Sequence, residues 1–291
     1  MSVVNRAGRV LLAGSGGFIG RAVARVLERE AISFQKADRG SGIDLCDVES
    51  VQSFWDVDAI VDVAGPASAP ASWDEPHLFY RTRLLITLNL LELARLRGAR
   101  LILGSSYIYG APNYLPVDER HPANPSNPYM ASKLIAEQLG AAYARDFGVP
   151  VTALRIFNPY GANQRSDFLL PTVIEGVKRG AVVLRDPEPR RDFVHVDDVA
   201  EAFIAALRYR HSGFEAFNIG SGSSKSVCEI VSLVMRLSGG TARVSYTSES
   251  RRGEISEVVA DVSKAARLLG WAPRITLEEG IRTLLVEEDG R

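Results

Sequence analysis

Val10-Leu-Leu-Ala-Gly-Ser-Gly-Gly-Phe-Ile-Gly20 opens with four apolar residues, the pattern of a strand buried on both faces. A glycine turn then leads into Phe18 to Glu30, where Ile19, Val23, Val26 and Leu27 recur at helical period and Arg21, Arg25 and Arg29 point outward. Strand, glycine turn and helix in that order make a fingerprint for a dinucleotide pyrophosphate. Gly14 permits the tight turn, Gly17 lets the backbone approach the phosphates, and Gly20 lets the helix pack closely on the strand. Phe18 and Ile19 open the helix, whose first N–H groups carry positive partial charge toward an anion.

Ile32 to Ala37 supplies a second strand, interrupted in pattern by Gln35 and Lys36, with Asp38 at its end. A carboxylate in that position accepts hydrogen bonds from the adenosine ribose, which favours NAD. Arg39 beside it could grip a 2′-phosphate, so NADP stays open as the cofactor. Asp44 and Leu45, read as following a third strand, are assigned to the adenine edge. The alternative is a structural glycine turn beside a surface aspartate.

Asp58 to Ala64 and Arg100 to Gly104 read as further strands. Between them, Leu78 to Arg97 is a leucine-rich helix stopped by Gly98. Another helix runs from Tyr129 to Phe147, ends at Gly148, and precedes a strand over Val149 to Ile156. Short apolar runs alternating with helical patterns predict an α/β fold, a Rossmann doubly wound parallel sheet with a smaller C-terminal substrate-binding lobe. The expected division gives 1–160 plus 192–222 to the dinucleotide-binding domain and 161–191 plus 223–291 to the lobe. From Gly110 to Pro128 five prolines rule out helix and central strand, so a surface loop over the sheet end is expected.

With 291 residues, 46% hydrophobic and 24% charged, a sizeable core and a soluble surface are both available. A formal net charge of −1 offers no broad attraction to nucleic acid or acidic membrane, so a bound anion must meet a local site. No stretch approaches the ~20 apolar residues of a membrane span, and the apolar run after Met1 breaks too early for a signal peptide. A cytoplasmic protein is expected. Cys46 and Cys228 lack CxxC spacing and histidine neighbours; they read as buried free thiols, with a disulfide left open. His77, His121 and His211 show no ligand spacing, and no metal site is expected.

Tyr129-Met-Ala-Ser-Lys133 sets a phenol and an ammonium four residues apart, on one helical face. A free tyrosine, with a pKa of ~10, is too weakly acidic to serve as a base at neutral pH, and a nearby cation lowers it. The pair is accompanied by Ser105-Ser-Tyr-Ile-Tyr-Gly110, Leu154-Arg-Ile-Phe-Asn-Pro-Tyr-Gly161, Arg191-Asp-Phe-Val-His-Val-Asp-Asp198, Phe217-Asn-Ile-Gly-Ser-Gly222 and Arg251-Arg-Gly-Glu254. Asp261-Val-Ser-Lys264 and Leu268-Leu-Gly-Trp-Ala-Pro273 follow. In these motifs, over nearly its whole length, the chain resembles the extended short-chain dehydrogenase/reductases, specifically the NAD-dependent epimerase/dehydratase family.

The resemblance implies that Tyr129 is the acid/base, that Lys133 holds the cofactor ribose and lowers the tyrosine pKa, and that Ser105 hydrogen-bonds the reacting oxygen. It implies cofactor contact at Ala64 and contacts to a nucleotide-sugar substrate from Asn158, Arg191 and Arg251. It gives His195 a structural role, and it implies a homodimer formed through the Leu78–Arg97 and Tyr129–Phe147 helices. Ser106 and Tyr107 follow Ser105 where dehydratases and decarboxylases of this family carry an acid, which argues against those reactions. Arg83 stands where relatives have Asn near the cofactor, and Asp62 and Gly65 replace the usual His and Ala. Arg83 and a chain short for a 4-epimerase point toward a ketoreductase, whereas Asp38 points toward a redox-neutral, NAD-retaining epimerase. A non-catalytic dinucleotide- or partner-binding protein is the reading from another class.

Overall fold

The computed structural model describes residues 9–247 and 253–289. In chain order the first half runs β1 (Val10–Ala13), α1 (Phe18–Arg29), β2 (Phe34–Ala37), α2 (Val48–Gln52), β3 (Ala59–Asp62), α3 (Ala69–Asp74), α4 (Pro76–Arg97), β4 (Arg100–Ser106), α5 (Pro128–Phe147) and β5 (Val151–Ile156). The second half runs β6 (Asn158–Tyr160), α6 (Leu169–Lys178), β7 (Ala181–Leu184), β8 (Arg190–Arg191), β9 (Phe193–His195), α7 (Val196–Arg208), β10 (Phe214–Ile219), β11 (Lys225–Ser226), α8 (Val227–Ser238), β12 (Arg243–Tyr246), α9 (Ser263–Leu269) and α10 (Leu277–Asp289).

Six strands form one parallel sheet in the order β2-β1-β3-β4-β5-β10. The chain leaves β1 for β2, then crosses back past β1 to β3. That reversal opens a crevice beyond the C-terminal ends of β1 and β3, where doubly wound sheets bind ligands. Side chains alternate across the pleat. Val10 and Leu12 enter one core with α1 and α7, while Leu11 and Ala13 enter another with α4 and α5. Each buried Val or Leu contributes about 1.5–3 kcal/mol relative to exposure.

Two further clusters complete the interior. Val173 and Ile174 of α6 meet Val182 of β7, Ile230 and Val234 of α8, and Ile281 of α10. Tyr107, Tyr109 and Phe157 meet Val117, Val258 and Ala260, so the proline-rich segment is anchored rather than merely draped. Val117 is fully buried and bridges to Ala260.

The helices end as their glycines dictate: Gly98 and Gly148 both take left-handed conformations after α4 and α5. Strand bounds differ from the apolar runs by up to two residues in places, and β4 continues through Ser105 and Ser106 because both pair with β5. Asp44 and Leu45 lie between β2 and α2, ahead of the third strand rather than behind it. Both cysteines are free, but Cys46 is half-buried and Cys228 is exposed in the first turn of α8, which corrects the expectation of two buried thiols. Among the described residues no helix is long and apolar enough to cross a membrane.

Candidate active site

The glycine turn sits at the β1/β3 crevice with no room for side chains at Gly14 and Gly20. Gly14 has φ +85°, and a Cβ there would lie 2.7 Å from the Ala64 backbone beyond β3. A Cβ on Gly20 would lie 2.0 Å from the Gly14 carbonyl oxygen, so α1 lies directly on the turn. Gly17 is the N-cap of α1 and contributes no side-chain cap, which leaves the first-turn amides of Phe18, Ile19 and Gly20 at the positive end of the helix.

Asp38 follows β2 and closes over this turn. Its carboxylate accepts hydrogen bonds from the Ser15 hydroxyl, from Gly16 N at 2.7 Å and from Ser41 N at 3.0 Å. The Ser15 bond outweighs partial burial and holds the carboxyl below its usual range, so Asp38 is anionic at neutral pH. Arg39 is exposed next to it. Leu45 is buried and its carbonyl accepts from Asn89, whereas Asp44 is exposed and its carboxylate caps Cys46 N.

Tyr129 and Lys133 lie at the start of α5. Asn127 caps that helix by accepting from Met130 N at 2.9 Å, and Pro128 occupies the first helical position, so the tyrosine sits one residue inside the helix end. Lys133 is buried; its Nζ donates to Gly104 O at 2.8 Å and stands 5.9 Å from the Tyr129 ring centre. Phe79 of α4 meets the same ring edge-on at 6.3 Å. Burial pushes the Tyr129 phenol above its ordinary range, while a hydrogen bond from Ser106 and the charge of Arg83 pull it back. Burial also brings Lys133 down to about 7; Arg83 adds to that fall, and Asp62 and Glu137 oppose it.

The two serines at the end of β4 have different surroundings. Successive residues of a strand point to opposite sides. Ser105 donates to Glu137 Oε1 at 2.5 Å, and Ser106 is the serine whose influence lowers the Tyr129 phenol. Glu137, two turns beyond Tyr129 on α5, is itself held by Arg155 of β5 through bonds of 2.7–3.1 Å. This buried Ser105–Glu137–Arg155 cluster escaped the sequence reading, although Tyr129, Lys133 and Glu137 recur at the four-residue spacing of one helix face.

The expected substrate residues lie on β6, β8 and the segment after β12. Asn158 Nδ2 donates to Asp192 O at 3.1 Å. Arg191 is half-buried; it pairs with Glu254 and donates to Ile255 O at 2.6 Å. Arg251 lies outside the described residues. Asp192, fully buried, accepts from the N–H groups of Ser221, Gly222 and Ala260 at 2.6–3.0 Å and ties these segments together. His195 caps α7 by accepting from Asp197 N at 3.2 Å, a structural duty. Among the described residues no cluster of His, Cys, Asp and Glu could hold a metal ion.

Asp62 and Arg83, the two departures noted in the sequence, are partners. They form an ion pair with both side chains almost wholly buried.

These residues fit a dinucleotide. The crevice is bare of side chains at Gly14 and Gly20, an open helix end meets it, and an anionic carboxylate stands at the end of β2 where a ribose diol would be read. Comparison with known proteins agrees. Residues 10–220 match the family described as the NAD dependent epimerase/dehydratase family. The UDP-glucose 4-epimerase of Bacillus subtilis (strain 168) is 33% identical over 264 residues, 81% of this chain and 77% of that one. The GDP-6-deoxy-D-mannose reductase of Pseudomonas aeruginosa is 27% identical over 298 residues, 97% of this chain and 98% of that one. The crystal structure of the Thermus thermophilus UDP-glucose 4-epimerase in complex with NAD is 29% identical, with a TM-score of 0.87 over 97% of this chain and 99% of that chain. With the family match over residues 10–220 and a likeness of fold along nearly the whole length, the chain belongs to the NAD-dependent epimerase/dehydratase family.

Proposed function

We propose that this protein is an NAD-dependent nucleotide-sugar epimerase acting through a transient keto-sugar. The observation that carries the reading is Tyr129 in the first turn of α5 with Lys133 one turn along the same helix face, its Nζ 5.9 Å from the phenol ring centre. Tyr129 as phenolate accepts the proton of a sugar hydroxyl and returns it to the ketone oxygen in the second half of the cycle. NAD held there would supply a hydride acceptor for the sugar carbon and, once the keto-sugar presents its other face, the hydride donor. Ser106 holds the phenolate and the reacting oxygen in line, and Lys133 contacts the cofactor ribose. Gly14, Gly17, Phe18, Ile19 and Gly20 cradle the pyrophosphate, and Asp38 reads the ribose. Arg39, Asp44 and Leu45 border the adenosine and Ala64 the crevice floor.

Tyr107 has its hydroxyl committed to Gly110 O at 2.6 Å, and no carboxylate follows Ser105, so elimination of water or loss of CO2 has no acid/base group there. Asn158, Arg191 and Arg251 are proposed to hold the substrate diphosphate, Arg191 sharing its charge with Glu254. In a chain divided into a dinucleotide domain and a substrate lobe, that diphosphate would lie between the two. A homodimer is proposed through α4 and α5, where Leu84, Leu96 and Phe147 remain exposed, and a cytoplasmic location goes with it. A ketoreductase is the second reading, favoured by similarity to the mannose reductase along nearly the whole chain.

The test is a panel of nucleotide sugars incubated with protein and NAD, read by chromatography and mass spectrometry. A product of unchanged mass and altered retention is expected. Gain of two hydrogens by a keto-sugar at the expense of reduced cofactor would move the protein to the reductase reading. Tyr129→Phe is expected to lower turnover by about 10²–10⁴-fold with NAD binding retained; full activity would remove Tyr129 from the mechanism.

A further inference from the structure

Three residues at which the chain departs from the family pattern, Asp62, Gly65 and Arg83, meet at one peptide. Asp62 ends β3 and Arg83 lies two turns into α4, 21 residues apart in sequence. Both side chains are shut off from solvent, Asp62 at 0% and Arg83 at 2% exposure. They form an ion pair through Arg83 Nη2 and Asp62 Oδ2. The other carboxylate oxygen and the other terminal nitrogen turn to Ala64. Asp62 Oδ1 accepts from Ala64 N at 3.0 Å, and Arg83 Nη1 donates to Ala64 O at 2.8 Å. Arg83 Nε donates to Thr87 Oγ1 at 3.0 Å, which sets the plane of the fork from within α4. Gly65 then takes φ +105°, a conformation that a side chain resists, and a Cβ there would stand 3.8 Å from Arg83 Nη1.

Ala64 lies two residues beyond β3, and its N–H and C=O are answered by these side chains rather than by the ladder. Gly14 closes against it: a Cβ on Gly14 would lie 2.7 Å from both Ala64 N and Ala64 Cα. The held peptide is therefore the β3 wall of the crevice, facing the turn that meets the pyrophosphate. A buried ion pair is expensive to desolvate and adds little stability over a well-packed apolar pair of similar volume. Its saturated geometry at this spot points to a role in the site.

We propose that Asp62 and Arg83 are positioning residues for the dinucleotide: together they clamp the Ala64 peptide against the glycine turn, so that the crevice wall is set before NAD enters. The inference rests on the crevice holding NAD and is independent of the reaction carried out there. With both side chains shut off from solvent, the effect on the cofactor passes through Ala64 and not through direct contact. A wall already fixed leaves less backbone freedom to be lost when the cofactor binds, so the pair serves affinity although it adds little to stability.

The experiment joins NAD binding, titrated by fluorescence quenching, to amide hydrogen exchange over residues 62–65 in the NAD-free protein. The Ala64 amide of the unaltered protein is expected to be protected. Removing both charges together, Asp62→Val with Arg83→Met, avoids leaving one buried charge unpaired. In the folded double variant exchange at Ala64 is expected to quicken. NAD affinity is expected to fall about tenfold, the loss that comes with ordering one freed residue on binding. A purely structural pair would move the urea midpoint and leave the NAD affinity of the folded protein unchanged, and that outcome overturns the proposal. Arg83→Lys keeps the charge without the planar fork. It is expected to bind NAD severalfold more weakly, with faster exchange at Ala64. Unchanged affinity or unchanged exchange in Arg83→Lys counts against the proposal even if the double variant does not fold. Failure of the unaltered protein to bind NAD would sink the cofactor reading and this inference with it, whereas equal NAD binding with and without the clamp sinks the inference alone.

Discussion

Strand alternation turns Ser105 toward Glu137 and leaves Ser106 as the serine that lowers the Tyr129 phenol, so their alanine variants should fail in different ways. Ser106→Ala removes a bond that favours the phenolate; the acid limb of the pH–rate profile is expected to move to higher pH, with stability little changed. Ser105→Ala removes a buried bond to a carboxylate and is expected to cost about 1.5–3 kcal/mol in urea unfolding, leaving the pH profile in place. The opposite pattern would return the catalytic hydroxyl to Ser105. Spacing alone pointed to Ser105, because counting along a motif carries no information about which face a residue takes at the end of a strand. That phase comes from pairing with β5, where Ser105 lies opposite Arg155.

At the scale of elements, the β1 turn and α1 act as one piece because Gly20 lets them touch. Gly20→Ala would force a Cβ to within 2.0 Å of Gly14 O, and backbone cannot yield as a flexible side chain does. A loss of about 1–3 kcal/mol or more is expected, with NAD affinity falling at least tenfold because the turn itself is displaced. Gly148→Ala is the control. It ends α5 at φ +70° with open space around it, so the cost should be the left-handed penalty alone, about 1–2 kcal/mol, and NAD binding should be unaffected. Equal loss of NAD affinity in both variants would show that general destabilisation, not the turn, is being read. These elements were legible in the sequence: an apolar run, a glycine turn and a 3.6-residue period are local signals. The end residues were less so, since β4 continues for two residues past its apolar run only because β5 pairs with it.

For the molecule as a whole, burying Lys133 makes stability depend on pH. Its pKa of about 7 in the folded chain lies below the ~10.4 of a free lysine. Between those values the unfolded chain binds a proton that the folded chain has lost, so unfolding free energy rises with pH through that window. Below about 7 both states are protonated, and the folded chain bears the full cost of a buried ammonium. Lys133→Met should therefore flatten the rise seen in urea unfolding between pH 7 and 9, and should be relatively most stabilising at the acid end. Parallel curves for the two proteins would place the folded-state pKa of Lys133 near its free value. The proposed assignment of Lys133 to the cofactor ribose accounts for keeping a residue whose burial costs stability.

The α/β class, the dinucleotide turn at Gly14 to Gly20, the Asp38 carboxylate after β2 and the Tyr129–Lys133 pair were all legible along the chain, because periodicity, glycine conformation and helix-face spacing act within a few residues. Long-range contacts settled the rest: Ser105 is bonded to Glu137, Arg83 is answered by Asp62, Glu137 by Arg155, and Arg191 is shared with Glu254. Each of these turns on sheet register or on contact between segments distant in sequence. A charged side chain cannot be buried without a partner, but which partner reaches it depends on where the sheet brings the elements together.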